Sequence, residues 1–129
     1  MSRPIRVLVV DDSLVMRSLL RMVLASDPAV ELAGMAADGV AALDSIDRLK
    51  PDILLLDIEM PRMNGLEVLV ELRSWHNRPK VIMCSTLTRR GARITLEASA
   101  GIIDLVSARL GAHGASFVFS KVRPAFSTR

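Results

Sequence analysis

The chain alternates short, unbroken apolar runs with longer stretches in which apolar residues recur every three or four positions. Ile5 to Val10 reads as a buried strand, and Val15, Met16, Leu19, Leu20, Val23 and Leu24 then form the stripe of an amphipathic helix that closes at Ser26, Asp27 and Pro28. Val30 to Gly34 is the predicted second strand, Asp38-Gly39 a turn, and Ala42, Leu43, Ile46 and Leu49 a second helical stripe that stops before Pro51. Ile53 to Leu56 follows as a third strand, Leu66 to Trp75 as a third helix and Lys80 to Cys84 as a fourth strand. This order predicts an α/β architecture, a doubly wound parallel sheet with helices on both faces joined by right-handed crossovers. Beyond Ser85, Thr88 to Ala100 suits a helix. Ile102 to Val106 and Phe117 to Phe119 both look like strands, and only one of them is needed as the fifth.

Composition narrows the class. With 129 residues, 50% apolar and 24% charged, the chain has the size and core content of one globular domain. Its longest apolar runs, such as Val7 to Val10, fall far short of the roughly 20 residues that a membrane helix requires. Arg3 and Arg6 lead into Asp11 and Asp12 instead of a signal-peptide core, so the expected location is the cytoplasm, without membrane insertion. Cys84 is the only cysteine and has no zinc-type spacing to His76 or His113; ending an apolar run, it reads as a buried thiol. Residues 1–85 carry 10 basic and 12 acidic side chains, against 7 and 2 in residues 86–129, that is −2 against +5. The basic side chains of the second part are scattered and no groove-reading helix pair or stacking aromatic module accompanies them, so no direct nucleic-acid contact is expected.

The chemistry lies in the acids. Open parallel sheets gather functional groups at the carboxyl ends of their strands, and here Asp11 and Asp12 follow the first strand while Asp57 follows the third. If those strands are neighbours, three carboxylates meet, and two such charges about 4 Å apart repel by about 4 kcal/mol at an effective dielectric near 20. A cation must offset that. All-oxygen ligands at a hydrated site suit Mg²⁺, and a carboxylate beside Mg²⁺ can act as nucleophile toward a phosphoryl group. The competing assignments are structural: either of Asp11 and Asp12 can cap the first helix, and Asp57 can be a solvated strand end. Glu59 to Gly65 reads as a turn in which Pro61 sets φ and Gly65 tolerates a positive one. Ser85 stands where a hydroxyl reaches a bound phosphoryl oxygen; capping the following helix is the competing role, better suited to Thr86 or Thr88. Trp75, Met60 and Met63 read as packing residues.

Val9-Val10-Asp11-Asp12-Ser13, then Leu55-Leu56-Asp57-Ile58-Glu59-Met60-Pro61 through Asn64-Gly65, then Met83-Cys84-Ser85-Thr86 resemble the two-component response-regulator receiver domain. More narrowly, Ser26-Asp27-Pro28, Glu59-Met60-Pro61 and Ser85 to Ala92 with Thr95 to Ala98 resemble the receiver half of the chemotaxis protein-glutamate methylesterases. The likeness is strongest over residues 5–107 and leaves residues 108–129 as a divergent segment of a single domain. It implies a five-stranded, flavodoxin-like fold with an atypical C-terminal helix region. It also implies phosphorylation of Asp57 by a histidine kinase, direct Mg²⁺ binding by Asp12, largely water-mediated binding by Asp11, a backbone carbonyl ligand from Glu59 and a switch hydroxyl at Ser85. The output expected is a methylesterase effector domain or another protein target in chemotaxis signalling.

Two family features depart: no aromatic stands three residues before the lysine position, where the chain has Leu105 or Val118 according to register, and the lysine itself depends on that register. The lysine that closes the family's fifth strand is missing if Gly101 to Ser107 is that strand, because Ala108 and Arg109 then stand in its place; it is Lys121 if Phe117 to Lys121 is the strand, at the expense of an insertion. The first register needs no insertion and is preferred. The resulting expectation is a regulatory domain and not an enzyme, since no G-x-S-x-G nucleophile motif is present and the methylesterase catalytic domain is absent. Two rivals remain: a degenerate receiver acting as a phosphorylation-independent interaction module, and a Mg²⁺-dependent aspartyl-phosphate phosphatase. The latter's family places its acids as D-x-D, whereas Asp11 and Asp12 are adjacent.

Overall fold

In a computed structural model of the chain, residues 3–58, 60–85 and 116–120 are described, the last five and residues 83–85 by their backbone only. Five strands, β1 (Ile5–Val10), β2 (Val30–Ala36), β3 (Ile53–Asp57), β4 (Lys80–Ser85) and β5 (Ser116–Ser120), form one parallel sheet in the order β2-β1-β3-β4-β5. The helices among the described residues are α1 (Leu14–Ala25), α2 (Gly39–Leu49) and α3 (Gly65–Leu72).

The alternation of strand side chains sorts the core into two layers. Val7, Val9, Ile53, Leu55 and Ile82 point to one face and meet Leu20 and Leu24 of α1. Leu8, Val10, Leu54, Leu56 and Val81 point to the other and meet Ala42 and Ile46 of α2 with Val68 and Leu72 of α3. Strands buried on both faces read as continuous apolar runs, which is why β1 and β3 stand out in the sequence. The strand order reverses between β1 and β3, the switch point at which such sheets bind their ligands.

The elements agree with the pattern except at their ends. The third helix stops at Leu72, not Trp75: the Arg78 guanidinium donates to the carbonyls of Leu72 and Arg73, and Asn77 takes a left-handed φ of 55° that turns the chain toward β4. Trp75, Met60 and Met63 pack against the layer under α2 and α3, as their composition predicts. Gly65 does not supply the positive φ of the loop before α3; Arg62 does, at 65°. The larger correction concerns the fifth strand. The strand paired with Val81 to Ser85 is Ser116–Ser120, the less favoured of the two registers, while Gly101 to Ser107 lies outside the described residues. The aromatic and β-branched residues Phe117, Val118 and Phe119 are types suited to a pleated, packed strand. Lys121, Ala108 and Arg109, and the helix expected over Thr88 to Ala100, lie outside the described residues.

The edge of the sheet away from the acids is held by Asp52. Its carboxylate accepts two hydrogen bonds from the Arg3 guanidinium, at 3.1 and 2.8 Å, and one from the Arg6 amide at 2.9 Å. Burial pushes its pKa up, but the bond from Arg3, the Arg6 amide and both guanidinium charges outweigh burial and hold it below the usual carboxylate range. A depressed folded-state pKa contributes stability above the unfolded value, and that contribution disappears as pH falls through the folded one. Asp52→Asn is therefore expected to lower the unfolding free energy by about 1 kcal/mol at neutral pH, a small figure because Arg3 stands in water. The deficit should close progressively below about pH 4. Urea unfolding of both proteins from pH 7 to 3 checks this; a deficit that stays constant to pH 3 contradicts it.

Candidate functional site

The site is built by register. Val10 of β1 pairs with Leu56 of β3, so the next residues, Asp11 and Asp57, leave adjacent strand ends side by side. One carboxylate oxygen from each of Asp11, Asp12 and Asp57 lies within 4.8 Å of the others. Asp11 and Asp57 are buried, at 2% and 4% exposure, whereas Asp12 is exposed, so the cluster opens to solvent on one side. Three ionised carboxylates at this spacing repel by about 3 kcal/mol per pair at an effective dielectric near 20.

Capping does not account for the pair after β1. The cap of α1 is Ser13, whose hydroxyl accepts from the Met16 amide at 3.2 Å. Asp11 shapes the approach to it: its Oδ1 accepts from the Ser13 amide at 2.9 Å, and its backbone carbonyl accepts from the Arg17 guanidinium at 2.7 Å. The Asp11 amide in turn donates to the Ala36 carbonyl at 3.1 Å, fastening the strand end to β2.

On the other side of the cluster the β3–α3 loop returns tightly. The Gly65 amide donates to the Ile58 carbonyl at 2.9 Å, and a Cβ on Gly65 would run into the Asp57 carbonyl oxygen. A reciprocal capping box between Asn64 and Glu67 starts α3 immediately afterwards. Arg62 pairs with Asp38, the cap of α2, and the Gly39 amide donates to the Met63 carbonyl at 3.1 Å. The Ala41 amide, with Arg62 beside it, holds the Asp38 carboxyl below its usual range.

Of the residues singled out in the sequence, Asp11, Asp12 and Asp57 are brought together. Ser85 ends β4 one position beyond Cys84, which pairs with Asp57, so its backbone stands at the same sheet end; its side chain is outside the described part. Glu59 is outside the described residues. Sequence reasoning missed Arg17, Asp38 and Arg62. Arg17 stands four positions beyond the cap, a spacing that puts it over the first turn of α1; nothing local links Arg62 to Asp38.

Among the described residues the donor set, three carboxylates open to solvent on one side with no nitrogen or sulfur, fits a hard divalent cation such as Mg²⁺ better than a softer metal. Among the described residues no helix is long and apolar enough to cross a membrane.

Comparisons with known proteins agree with this geometry. The sequence pattern of the response regulator receiver domain matches residues 7–110, ending before β5. A protein-glutamate methylesterase/protein-glutamine glutaminase of Rhizobium johnstonii is 53% identical over 107 residues, 82% of this chain and 30% of the relative. The chain thus spans about a third of the curated relatives it matches. Among solved structures, the response regulator domain of Thermotoga maritima CheB is 37% identical with a TM-score of 0.66, over 96% of this chain and 86% of that one. A Borrelia burgdorferi CheX-CheY-BeF3-Mg complex is 27% identical with a TM-score of 0.63, over 95% and 80%.

These relatives correct one expectation. The sequence predicts a domain that is not an enzyme, yet the curated proteins it resembles are enzymes by name. That expectation rested on a missing nucleophile motif, and the absence of a motif from these residues bears on these residues alone. With its doubly wound sheet, its acids at the switch point and its match over most of its length, the chain belongs to the response regulator receiver domain family, and its likeness there is to the receiver of a CheB-type chemotaxis regulator.

Proposed function

We propose that this chain, in the cytoplasm, accepts a phosphoryl group on Asp57 from the phosphohistidine of a histidine kinase and, in chemotaxis signalling, controls a methylesterase effector domain. The convergence of Asp11, Asp12 and Asp57 at one sheet end is the observation that carries the reading. In the transfer, a carboxylate oxygen of Asp57 forms the new bond to phosphorus while the bond from phosphorus to the donor imidazole nitrogen breaks. The electron pair leaves with that nitrogen, which takes up a proton.

The backbone of Asp57 is held for this by β3 and by Gly65 closing over its carbonyl, which fixes the point from which the carboxylate projects. Asp11, its carboxylate tied to the Ser13 amide, and the exposed Asp12 supply the remaining carboxylate ligands, and the Glu59 carbonyl in the loop is assigned as a further one. Mg²⁺ bound there supplies charge neutralisation for the phosphoryl oxygens. Ser85, at the end of the neighbouring strand, is assigned the hydroxyl that follows the phosphoryl group and transmits its presence. A related receiver described with BeF3 and Mg supports the same ligand chemistry here.

The test is to incubate the chain with a small phosphodonor, with Mg²⁺ and with chelator, and to follow intact mass and acid-labile phosphate. One phosphoryl group, on Asp57, formed only with Mg²⁺ and slowly lost, is expected. Asp12→Ala should weaken Mg²⁺ binding about tenfold or more, as loss of a metal ligand does. Rapid multiple turnover of a phosphate ester would instead indicate a phosphatase, and indifference to Mg²⁺ with no label an interaction module; either outcome overturns the reading.

A further inference from the structure

We propose that Asp38 and Arg62 form a charge latch that holds the β3–α3 loop against the start of α2 and so positions the oxygen ligands beside Asp57. The inference rests on the assignment of Asp57 as phosphoacceptor beside a divalent cation, and it makes Asp38 and Arg62 positioning residues for that cation.

Arg62 has a φ of 65°, a left-handed conformation that side chains with a Cβ rarely adopt and that Gly, Asn and Asp tolerate best. Backbone bonds from Gly39 to Met63 and from Gly65 to Ile58 hold the turn beside it, and the Arg62 guanidinium, although 72% exposed, adds a charged restraint. The guanidinium binds Asp38, whose side chain is only 8% exposed and is fixed from behind by the Ala41 amide at 2.9 Å. Beside the pair, Gly39 lies so close to Met63 that a Cβ there would come within 2.7 Å of the Met63 side chain, and its amide donates to the Met63 carbonyl. The loop is therefore pinned at Gly65 by backbone contacts and at Arg62 by a charge pair.

Both carboxylate-bearing strand ends are referred to the same post. Asp38 stands two residues beyond Ala36, whose carbonyl receives the Asp11 amide, while the loop it holds begins directly after Asp57. If the pair opens, the loop keeps its Gly65 anchor and the Gly39–Met63 bond but loses the charged restraint at Arg62, and any backbone carbonyl it offers to the cation is less firmly placed.

Substitutions that spare local geometry test this. Asp38→Asn keeps a side chain equally good at capping α2, and Arg62→Asn keeps one that tolerates positive φ, yet each removes the charge pair. Mg²⁺ affinity of the full chain by calorimetry at low salt, with thermal midpoints alongside, is expected to fall about three- to tenfold in each variant. The double variant should lose no more than either single one, Arg62→Lys should recover most of the affinity, and the advantage of the unsubstituted protein should shrink at high salt. Single variants that bind Mg²⁺ as the unsubstituted chain does, or losses that multiply in the double variant, overturn the latch. If the unsubstituted chain itself binds no Mg²⁺, the assignment beneath the latch fails instead, so the two failures are distinguishable.

Discussion

Asp57→Asn is expected to remove the acid-labile phosphoryl label, lowering its formation about a hundredfold or more, because an amide oxygen is a poor nucleophile and no other described carboxylate is both buried at a strand end and beside Asp11 and Asp12. The same substitution should have a second effect of opposite sign. It removes one of three charges gathered within 4.8 Å, so in chelator the variant should be more stable than the unsubstituted chain by about 1–3 kcal/mol. In excess Mg²⁺ the order should reverse, since binding stabilises a protein in proportion to the logarithm of ligand concentration over dissociation constant, and the variant binds more weakly. Thermal unfolding in both media, with intact-mass analysis, reads all three effects. Undiminished label in the variant contradicts the assignment.

Gly65→Val is expected to be the most damaging single substitution near the site. The added Cβ would collide with the Asp57 carbonyl oxygen and lie 3.0 Å from the Ile58 Cα and 3.1 Å from the Asp57 carbonyl carbon. Each of these is backbone, so no rotamer change relieves the contact; the end of β3 or the start of α3 must move. Overpacking of this kind costs about 3 kcal/mol, and the two further methyl groups add to it. Gly34→Ala provides the contrast, because its Cβ would meet the Leu49 Cδ1 at 2.7 Å, the far end of a flexible side chain. Urea unfolding should show a loss of about 3 kcal/mol or more for Gly65→Val and less than about 1 for Gly34→Ala. Equal losses would contradict this ranking. Phosphorylation should fail in Gly65→Val even where the protein remains folded, because the displaced group is the phosphoacceptor's own backbone.

The elements that the sequence disclosed are those whose signal is local. β1 and β3 are covered on both faces and so appear as uninterrupted apolar runs, while α1 and α2 each turn one stripe to a single layer. The carboxylate cluster was legible for a related reason: acids that directly follow two strands must meet if those strands are neighbours, and the Val10–Leu56 pairing makes them so. What escaped depends on partners distant in the chain. Two runs after β4 have strand character, and only pairing with Val81 to Ser85 selects Ser116–Ser120. The end of α3 at Leu72 is set by Arg78, six residues on, in a stretch whose periodicity continues to Trp75. The Asp38–Arg62 pair joins residues 24 apart, and Arg62 takes the left-handed conformation that composition alone assigns to Gly65.

The central claim is that Asp11, Asp12 and Asp57 serve one cation. Titrating the chain with Mn²⁺ in place of Mg²⁺ while observing the side-chain carboxyl carbons by NMR tests it most directly. All three resonances should broaden together, along a single binding curve that excess Mg²⁺ reverses, while those of Asp44 and Asp47 on α2 stay sharp. Broadening of Asp12 without Asp57, or separate curves for the two, would contradict the account.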